Sequence, residues 1–196
     1  IILKQWSRSI LSRNQLGFLK KFIILFQGSR KRRSIEGKYE DFSFACAKLP
    51  RSLKPTMILR VIQYNEAVLR ESGIPVDSFD DDLRQLADDM LDTMYNEEGI
   101  GLAAQQVGRI VRMFVMDVRP ADPDTTVVCL LDGRTLPVEV VMPMALVNPK
   151  VERFGEEINW EEGCLSLPEI RGHVTRPGHV RVSYQDLDGH THELEC

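Results

Sequence analysis

The feature that most constrains the fold is a one-sided apolar stripe between Ser78 and Asn96. Its members recur at spacings of three, four and one, as on one face of an α-helix. They are Phe79, Leu83, Leu86, Ala87, Met90, Leu91 and Met94. Asp77 or Ser78 is suited to cap the start, and residues 80–82 place aspartates in the first turn, where the helix dipole favours them. We predict a helix over 78–96 that buries this stripe in the core and ends at Gly99 and Gly101.

Short apolar segments surround this helix and predict strands. They cover residues 58–62, 110–118, 127–131, 138–142, 144–151, 180–185 and 191–195. Asp132-Gly133 and Asp188-Gly189 are turn dipeptides, Pro149 is expected to end a strand, and residues 154–157 are expected to turn. Residues 69–76 and 119–124 are interpreted as loops because glycine and proline interrupt them. One helix with many short, mostly antiparallel strands predicts an α+β domain.

Charge divides the chain into two parts. Residues 1–56 hold 13 Lys/Arg against 3 Asp/Glu, whereas residues 57–196 hold 12 against 26. We therefore expect 1–56 to be a basic N-terminal extension outside the mature domain, and 57–196 to form the domain. An acidic domain argues against direct nucleic-acid binding, which needs clustered Lys/Arg. The apolar run over residues 22–26 is too short to cross a membrane.

The sequence allows two interpretations of the cellular compartment of the protein. Residues 1–35 contain nine basic residues, several serines and no acidic residue, a composition that resembles an organellar transit peptide. This favours a mitochondrion or plastid. A start at Met57 would instead favour the bacterial cytoplasm.

The four cysteines are Cys46, Cys129, Cys164 and Cys196, far apart and without a C-x-x-C pair. This spacing does not indicate a disulfide framework and favours reduced, intracellular thiols. Cys129 lies in an apolar run and is expected to be a small buried residue. Cys164 has three roles open to it: a buried structural thiol, a nucleophile with a histidine base, or a metal ligand.

Histidines and arginines offer further candidates. His190-x-His192 places two rings on one face of a strand, which suits either a metal site or an exposed hairpin end. A Cys–His hydrolase would pair Cys164 with His173 or His179. Arg171 and Arg176 could pair with Glu162 or meet substrate carbonyls.

Residues 99–106, Gly-Ile-Gly-Leu-Ala-Ala-Gln-Gln, form a glycine-rich loop. A dinucleotide fingerprint is excluded because a helix precedes the loop and Gly108 is out of register. The two glycines permit close backbone approach, and Gln106 offers an amide that can donate to a developing oxyanion. An ordinary helix-to-strand loop is the competing interpretation.

Two motifs together carry a family resemblance. Residues 99–106 fit G-x-G-x-A-A-x-Q, and residues 162–166 fit E-G-C-L-S, as in peptide deformylases. Residues 58–64 and the later Leu69-Arg70 also resemble the family's start. Residues 57–196 therefore resemble a peptide deformylase.

The resemblance implies an α+β metalloenzyme that uses Fe²⁺ or Zn²⁺ to remove the formyl group from formyl-methionyl nascent peptides. We expect the ribosome as a further candidate partner and no partner in a membrane. Cys164 would be a metal ligand, and Gln106 with the backbone N–H of Leu165 would stabilise the oxyanion. Gly101 would let the substrate pass closely. The bound cation would lower the pKa of its water and polarise the formyl carbonyl.

The sequence departs from the family in one respect. The family's third motif, Q-H-E-x-D-H, supplies two histidine ligands and the catalytic glutamate, and it does not occur in these 196 residues. We therefore expect the C-terminal metal-binding helix to be missing and this chain as given to be inactive. The alternative is a non-catalytic remnant of the family that binds peptides or the ribosome.

Overall fold

The computed structural model describes residues 55–120 and 127–196. Its elements are, in order, a 3-10 helix Ala67–Arg70, α1 Asp81–Asn96, β1 Gly101–Ala103, a 3-10 helix Ala104–Val107, β2 Met113–Met116, β3 Val128–Leu131, β4 Arg134–Pro137, α2 Val138–Val141, β5 Met144–Cys164, β6 Leu167–Gln185 and β7 Thr191–Glu195. The strands form one antiparallel sheet in the order β1-β2-β5-β6-β7-β3-β4. The predicted α+β class is confirmed. The predicted N-terminal extension lies, apart from its last two residues, outside the described residues.

The α1 helix is where the apolar stripe predicted it, but it begins three residues later, at Asp81. Asp80 is the cap, because its Oδ1 accepts a hydrogen bond from the Leu83 N–H at 3.0 Å. This bond holds the pKa of Asp80 below its ordinary value. The prediction that Asp77 or Ser78 caps the helix is wrong. Ser78 Oγ instead donates to Asp80 Oδ2 at 2.9 Å, so it supports the cap from outside.

The strand β2 is buried on both faces because it sends alternate side chains to two cores. Met113 and Val115 join the core beneath α1, whereas Phe114 and Met116 join the core on the opposite face. All four side chains are fully buried. The α1 core also contains Leu83, Ala87, Met90, Leu91, Met94, Leu102, Ala104, Ala145, Val147 and Leu187.

The predicted strand over 58–62 is wrong, because no regular element covers residues 55–63. Side chains of α1 satisfy two N–H groups of this segment. The Met57 N–H donates to Asp89 Oδ1 at 2.9 Å, and the Leu59 N–H donates to Thr93 Oγ1 at 2.8 Å. We call residues 55–66 the N-terminal segment.

The predicted strand over 138–142 is also wrong, since residues 138–141 form the short helix α2. The Asp132-Gly133 turn forms as predicted, with both residues in the left-handed region. This turn joins β3 to β4, and the last residue pair of the β3–β4 ladder is Val128 with Pro137. Residues 138–141 therefore lie beyond the end of the strand that could have paired with them.

The long β5–β6 hairpin corrects the two breaks predicted there. Pro149 does not end β5, because it falls where the register shifts between Val147 and Lys150. The turn predicted over 154–157 is a second register shift, with Gly155 at φ 82°. Bulges of this kind absorb a missing donor or a left-handed residue without ending the strand. β5 therefore continues to Cys164.

The remaining predicted elements differ mainly in length. The strand predicted over 110–118 is confirmed only over Met113–Met116, and the segments over 127–131 and 191–195 are strands as expected. The loop predicted over 69–76 begins inside a 3-10 helix and includes an isolated bridge between Ile74 and Val111. None of the helices in the described part of the chain is long and apolar enough to cross a membrane.

Candidate active site

The two sequence motifs meet where the end of α1 approaches the tip of the β5–β6 hairpin. A Cβ atom at Gly99 would lie 2.6 Å from Leu165 Cδ1 and 3.3 Å from the Met94 carbonyl oxygen. A side chain at this position would therefore displace Leu165 at the hairpin tip, so glycine permits the close approach. Cys164 ends β5, opposite Leu167, and Leu165 and Ser166 form the turn. Gly101 begins β1, opposite Met116 in β2.

Gln106 is the residue that joins the two motifs. It is 2% exposed, and its Oε1 accepts a hydrogen bond from the Ala103 N–H at 3.0 Å. Its Nε2 donates to Ser166 Oγ at 3.2 Å and to Cys164 Sγ at 3.8 Å. The amide is therefore held by its oxygen while its N–H group points at the hairpin tip beside the thiol.

The N-terminal segment crosses both motifs, a contact that the sequence analysis missed. The Ile62 N–H donates to the Gln106 carbonyl oxygen at 2.7 Å, and the Tyr64 N–H donates to the Ser166 carbonyl oxygen at 2.9 Å. The Gln63 side-chain amide reaches the Leu165 carbonyl oxygen at 3.5 Å. The two backbone hydrogen bonds and the Gln63 side-chain contact join distant parts of the chain, and no local sequence signal identifies them.

The carboxylate two residues before the thiol is neutralised by an ion pair. Arg176 Nε and Nη2 lie 2.7 Å and 3.0 Å from the two oxygens of Glu162, whose side chain is 1% exposed. Arg171 instead lies 4.0 Å from Glu161, with both side chains largely exposed. Of the pairings left open by the sequence, the one between Arg176 and Glu162 is formed.

Histidines lie away from the thiol in the part of the chain that the structure describes. His173 Nδ1 is 3.1 Å from Asn159 Oδ1, and the ring of His179 stacks on Phe154 with centroids 5.5 Å apart. Neither contacts Cys164. The Cys–His arrangement that the sequence left open is therefore not formed among the described residues.

The His190-x-His192 pair lies at the β6–β7 turn, on the exposed hairpin end. Asp186, Asp188 and His190 bring ligand atoms within 4.8 Å of one another. However, Asp186 Oδ1 already accepts the N–H groups of Asp188 and His190 at 2.9 Å, and its Oδ2 faces both histidine rings. These contacts account for the cluster as part of the turn.

The donor atoms around Cys164 do not fit a catalytic metal. Such a site needs three protein ligands and an open position. Among residues 55–120 and 127–196, the thiol of Cys164 has the Gln106 amide beside it, and an amide N–H group does not ligate a cation. These residues offer one ligand, so no reaction step through a metal is derived from them.

Three comparisons bear on the family. The family model described as polypeptide deformylase matches residues 58–196. A peptide deformylase of Opitutus terrae is 47% identical over 142 residues, covering 71% of this chain and 73% of that protein. One from Novosphingobium aromaticivorans is 42% identical over 140 residues, covering 69% and 74%. The crystal structure of peptide deformylase from Thermotoga maritima superposes with a TM-score of 0.58 at 34% identity, covering 70% of this chain and 80% of that one.

The antiparallel sheet with a helix packed on it is the fold of solved peptide deformylases, a class of metal-dependent hydrolases that act on nascent peptides. This chain belongs to the polypeptide deformylase family. The resemblance inferred from the two motifs is confirmed at the level of the family.

Proposed function

We propose that residues 57–196 form a deformylase domain whose described part supplies the thiol and the oxyanion donors of the active site. The observation that carries the proposal is the buried Gln106 amide directed at Cys164 and Ser166 across the two motifs. The family removes the N-formyl group from nascent peptides, a reaction in which negative charge develops on the formyl oxygen. A fixed, desolvated donor stabilises such charge without reorganising.

The roles of the individual residues follow from where they lie. Cys164 is proposed as a thiolate ligand for the Fe²⁺ or Zn²⁺ that the family uses. Gln106 Nε2 and the Leu165 N–H would donate to the oxyanion. Gly101, at the start of the edge strand β1, would let the substrate backbone approach closely. Glu162 and Arg176 would fix β5 just before the thiol.

The polypeptide of these 196 residues is proposed to lack turnover, because its described residues offer one ligand at this site, of the three that a catalytic metal requires. The second candidate function is binding of formyl-peptides or the ribosome without hydrolysis. It is favoured by the same geometry, since the amide and thiol are positioned independently of any histidine ligand. The bacterial cytoplasm is proposed as the compartment, with a mitochondrion or plastid as the alternative suggested by residues 1–35.

Two measurements on the 196-residue protein test these proposals. Hydrolysis of a formyl-methionyl tripeptide with added Fe²⁺ or Zn²⁺ is expected to stay at the level of metal alone, and robust turnover would contradict the inactivity. Binding of the same peptide is expected to weaken about tenfold or more in Gln106→Leu, which removes a buried donor. Gln63→Leu is the matched control, since its amide makes only a long contact with the Leu165 carbonyl oxygen. Equal binding by both variants would contradict the role of Gln106.

A further inference from the structure

Cys129 and Cys196 face each other across two neighbouring strands, away from the proposed active site. In the ladder between β3 and β7, Leu130 lies opposite Glu195 and Leu131 opposite Leu194. The next antiparallel rung places Cys129 directly opposite Cys196. Directly opposed residues send their side chains to the same face of a sheet. Consistent with this, Cys196 packs against the same core cluster that contains Cys129.

The hydrogen-bond pattern shows which kind of rung this is. The Cys196 N–H donates to the Val180 carbonyl oxygen at 3.0 Å, and the Val180 N–H donates to the Cys196 carbonyl oxygen at 2.9 Å. Both backbone groups of Cys196 thus point to β6 and away from β3. The Asp132 N–H donates to the Glu193 carbonyl oxygen at 2.9 Å, three rungs away, which agrees with the alternation of the ladder.

Cys129 and Cys196 therefore form a non-hydrogen-bonded pair, in which Cα atoms lie about 4.5 Å apart. Disulfides span Cα separations of about 4.4 to 6.8 Å, so the backbone need not move for a bond to form. The separation lies inside that range but below its most frequent values of about 5.5 to 6 Å, and departures from ideal geometry make a disulfide more easily reduced. Such bonds suit reversible oxidation better than permanent crosslinking.

The environment of the two thiols supports direct contact between them. Cys129 is 3% exposed, and Cys196 is partly buried. A hydrogen bond from the Cys196 thiol lowers the pKa of Cys129, although burial opposes this. The same contact, together with burial, raises the pKa of Cys196. Because the two thiols are in direct contact, the pair loses its first proton more readily than its second.

We propose that Cys129 and Cys196 form a reversible disulfide that ties β3 to β7 when the protein meets a peroxide. One thiolate attacks the peroxide oxygen, which yields a sulfenic acid and water, and the second thiol displaces a second water as the S–S bond forms. Two thiols and one hydrogen peroxide thus give one disulfide and two waters. A thiol such as glutathione restores the reduced pair by exchange.

The test compares disulfide formation in folded and unfolded protein. The full 196-residue protein, as wild type and as Cys46→Ser/Cys164→Ser, is equilibrated in glutathione redox buffers or oxidised with hydrogen peroxide. It is then alkylated and analysed by intact mass and peptide mapping. A species two hydrogens lighter, with residues 129 and 196 linked, is expected. Its equilibrium constant should be about 30-fold or more higher in buffer than in concentrated guanidinium chloride.

The matched control moves one thiol by a single residue. Adding Cys129→Ser and Leu130→Cys to the two-thiol variant keeps the number of thiols but turns one of them to the opposite face. This variant should lose the preference for the folded state. The proposal is contradicted if the wild-type pair is no more readily oxidised when folded than when unfolded. It is equally contradicted if the crosslinks join different chains or link Cys46 or Cys164 instead. Neither result depends on deformylase turnover.

Discussion

At the scale of single residues, the ion pair next to the thiol differs in kind from the other charged contacts of the hairpin. Glu162 is enclosed, and both of its carboxylate oxygens accept from the same guanidinium group. A buried pair of this type adds little over apolar residues, but removal of one partner leaves a charge without compensation. Arg171 and Glu161, by contrast, are exposed and 4.0 Å apart.

Arg176→Met is expected to lower the free energy of unfolding by about 3 kcal/mol, because it strands the Glu162 carboxylate in the interior. Arg171→Met, the matched control on the same strand, is expected to change it by no more than about 0.5 kcal/mol. Urea unfolding followed by circular dichroism measures both. Similar losses in the two variants would show that Arg176 contributes no more than a surface charge.

At the scale of elements, two turns at the same end of the sheet are joined by one imidazole. His192, in β7, lies between Asp132 of the β3–β4 turn and Asp186 of the β6–β7 turn. The ring nitrogens are 2.7 Å and 3.2 Å from these carboxylates, and Tyr184 packs beside the ring with centroids 5.6 Å apart. Burial opposes the charged form, but the two carboxylates raise the pKa of His192 above its ordinary value.

The raised pKa of His192 gives this end of the sheet a defined pH dependence. Because the folded protein binds the proton more tightly, the contribution is complete below the ordinary histidine pKa of about 6.5. It is lost as the pH rises through the raised value. His192→Gln is therefore expected to cost about 1 kcal/mol at pH ~5.5 and less at pH ~9.

Chemical unfolding at the two pH values measures this difference. His190→Gln is the control, because the His190 side chain is 73% exposed and its ring faces Asp186. A cost for His192→Gln that is equal at both pH values, or that grows as the pH rises, would contradict the assignment of the imidazolium.

At the scale of the whole molecule, β2 is an internal strand of the sheet with a core on each side. Consecutive residues of β2 belong to different cores, so this one short strand packs into both of them. Such a strand cannot be replaced by a half-exposed one, since both of its faces exclude water. The fold therefore depends on β2 more than its four residues suggest.

Met113→Ala and Phe114→Ala are each expected to lower the free energy of unfolding by about 3 kcal/mol or more, because both remove fully buried side chains. The control Ile170→Ala removes an apolar side chain that is 55% exposed, and it is expected to change stability by less than about 0.5 kcal/mol. Thermal and urea unfolding provide the comparison. A small loss for either β2 variant would mean that one face of the sheet is not a core.

The sequence alone predicted the parts of this protein that depend on local pattern. The stripe of α1 has helical periodicity, and the Asp132-Gly133 and Asp188-Gly189 turns have strong local preferences. The two motifs identified the family, since their residue types and spacing reflect the chemistry they carry. The apolar run around Cys129 predicted a buried thiol, and its side chain is 3% exposed.

Tertiary structure decided what local pattern could not. Residues 138–142 have the composition of a strand, but β3 begins at Val128, so its ladder ends at Pro137 and residues 138–141 form a helix instead. Residues 58–62 also look like a strand, yet the Leu59 N–H donates to the Thr93 side chain of α1 and the Ile62 N–H donates to the Gln106 carbonyl oxygen of a 3-10 helix.

Asp80 rather than Asp77 or Ser78 caps α1, which shows that a choice among neighbouring polar residues depends on where packing starts the helix. Cys129 and Cys196 face each other only because of the register between β3 and β7. Hydrogen bonds and side-chain pairs between strands join residues far apart in the chain, so they depend on which segments meet and not on the composition of either segment.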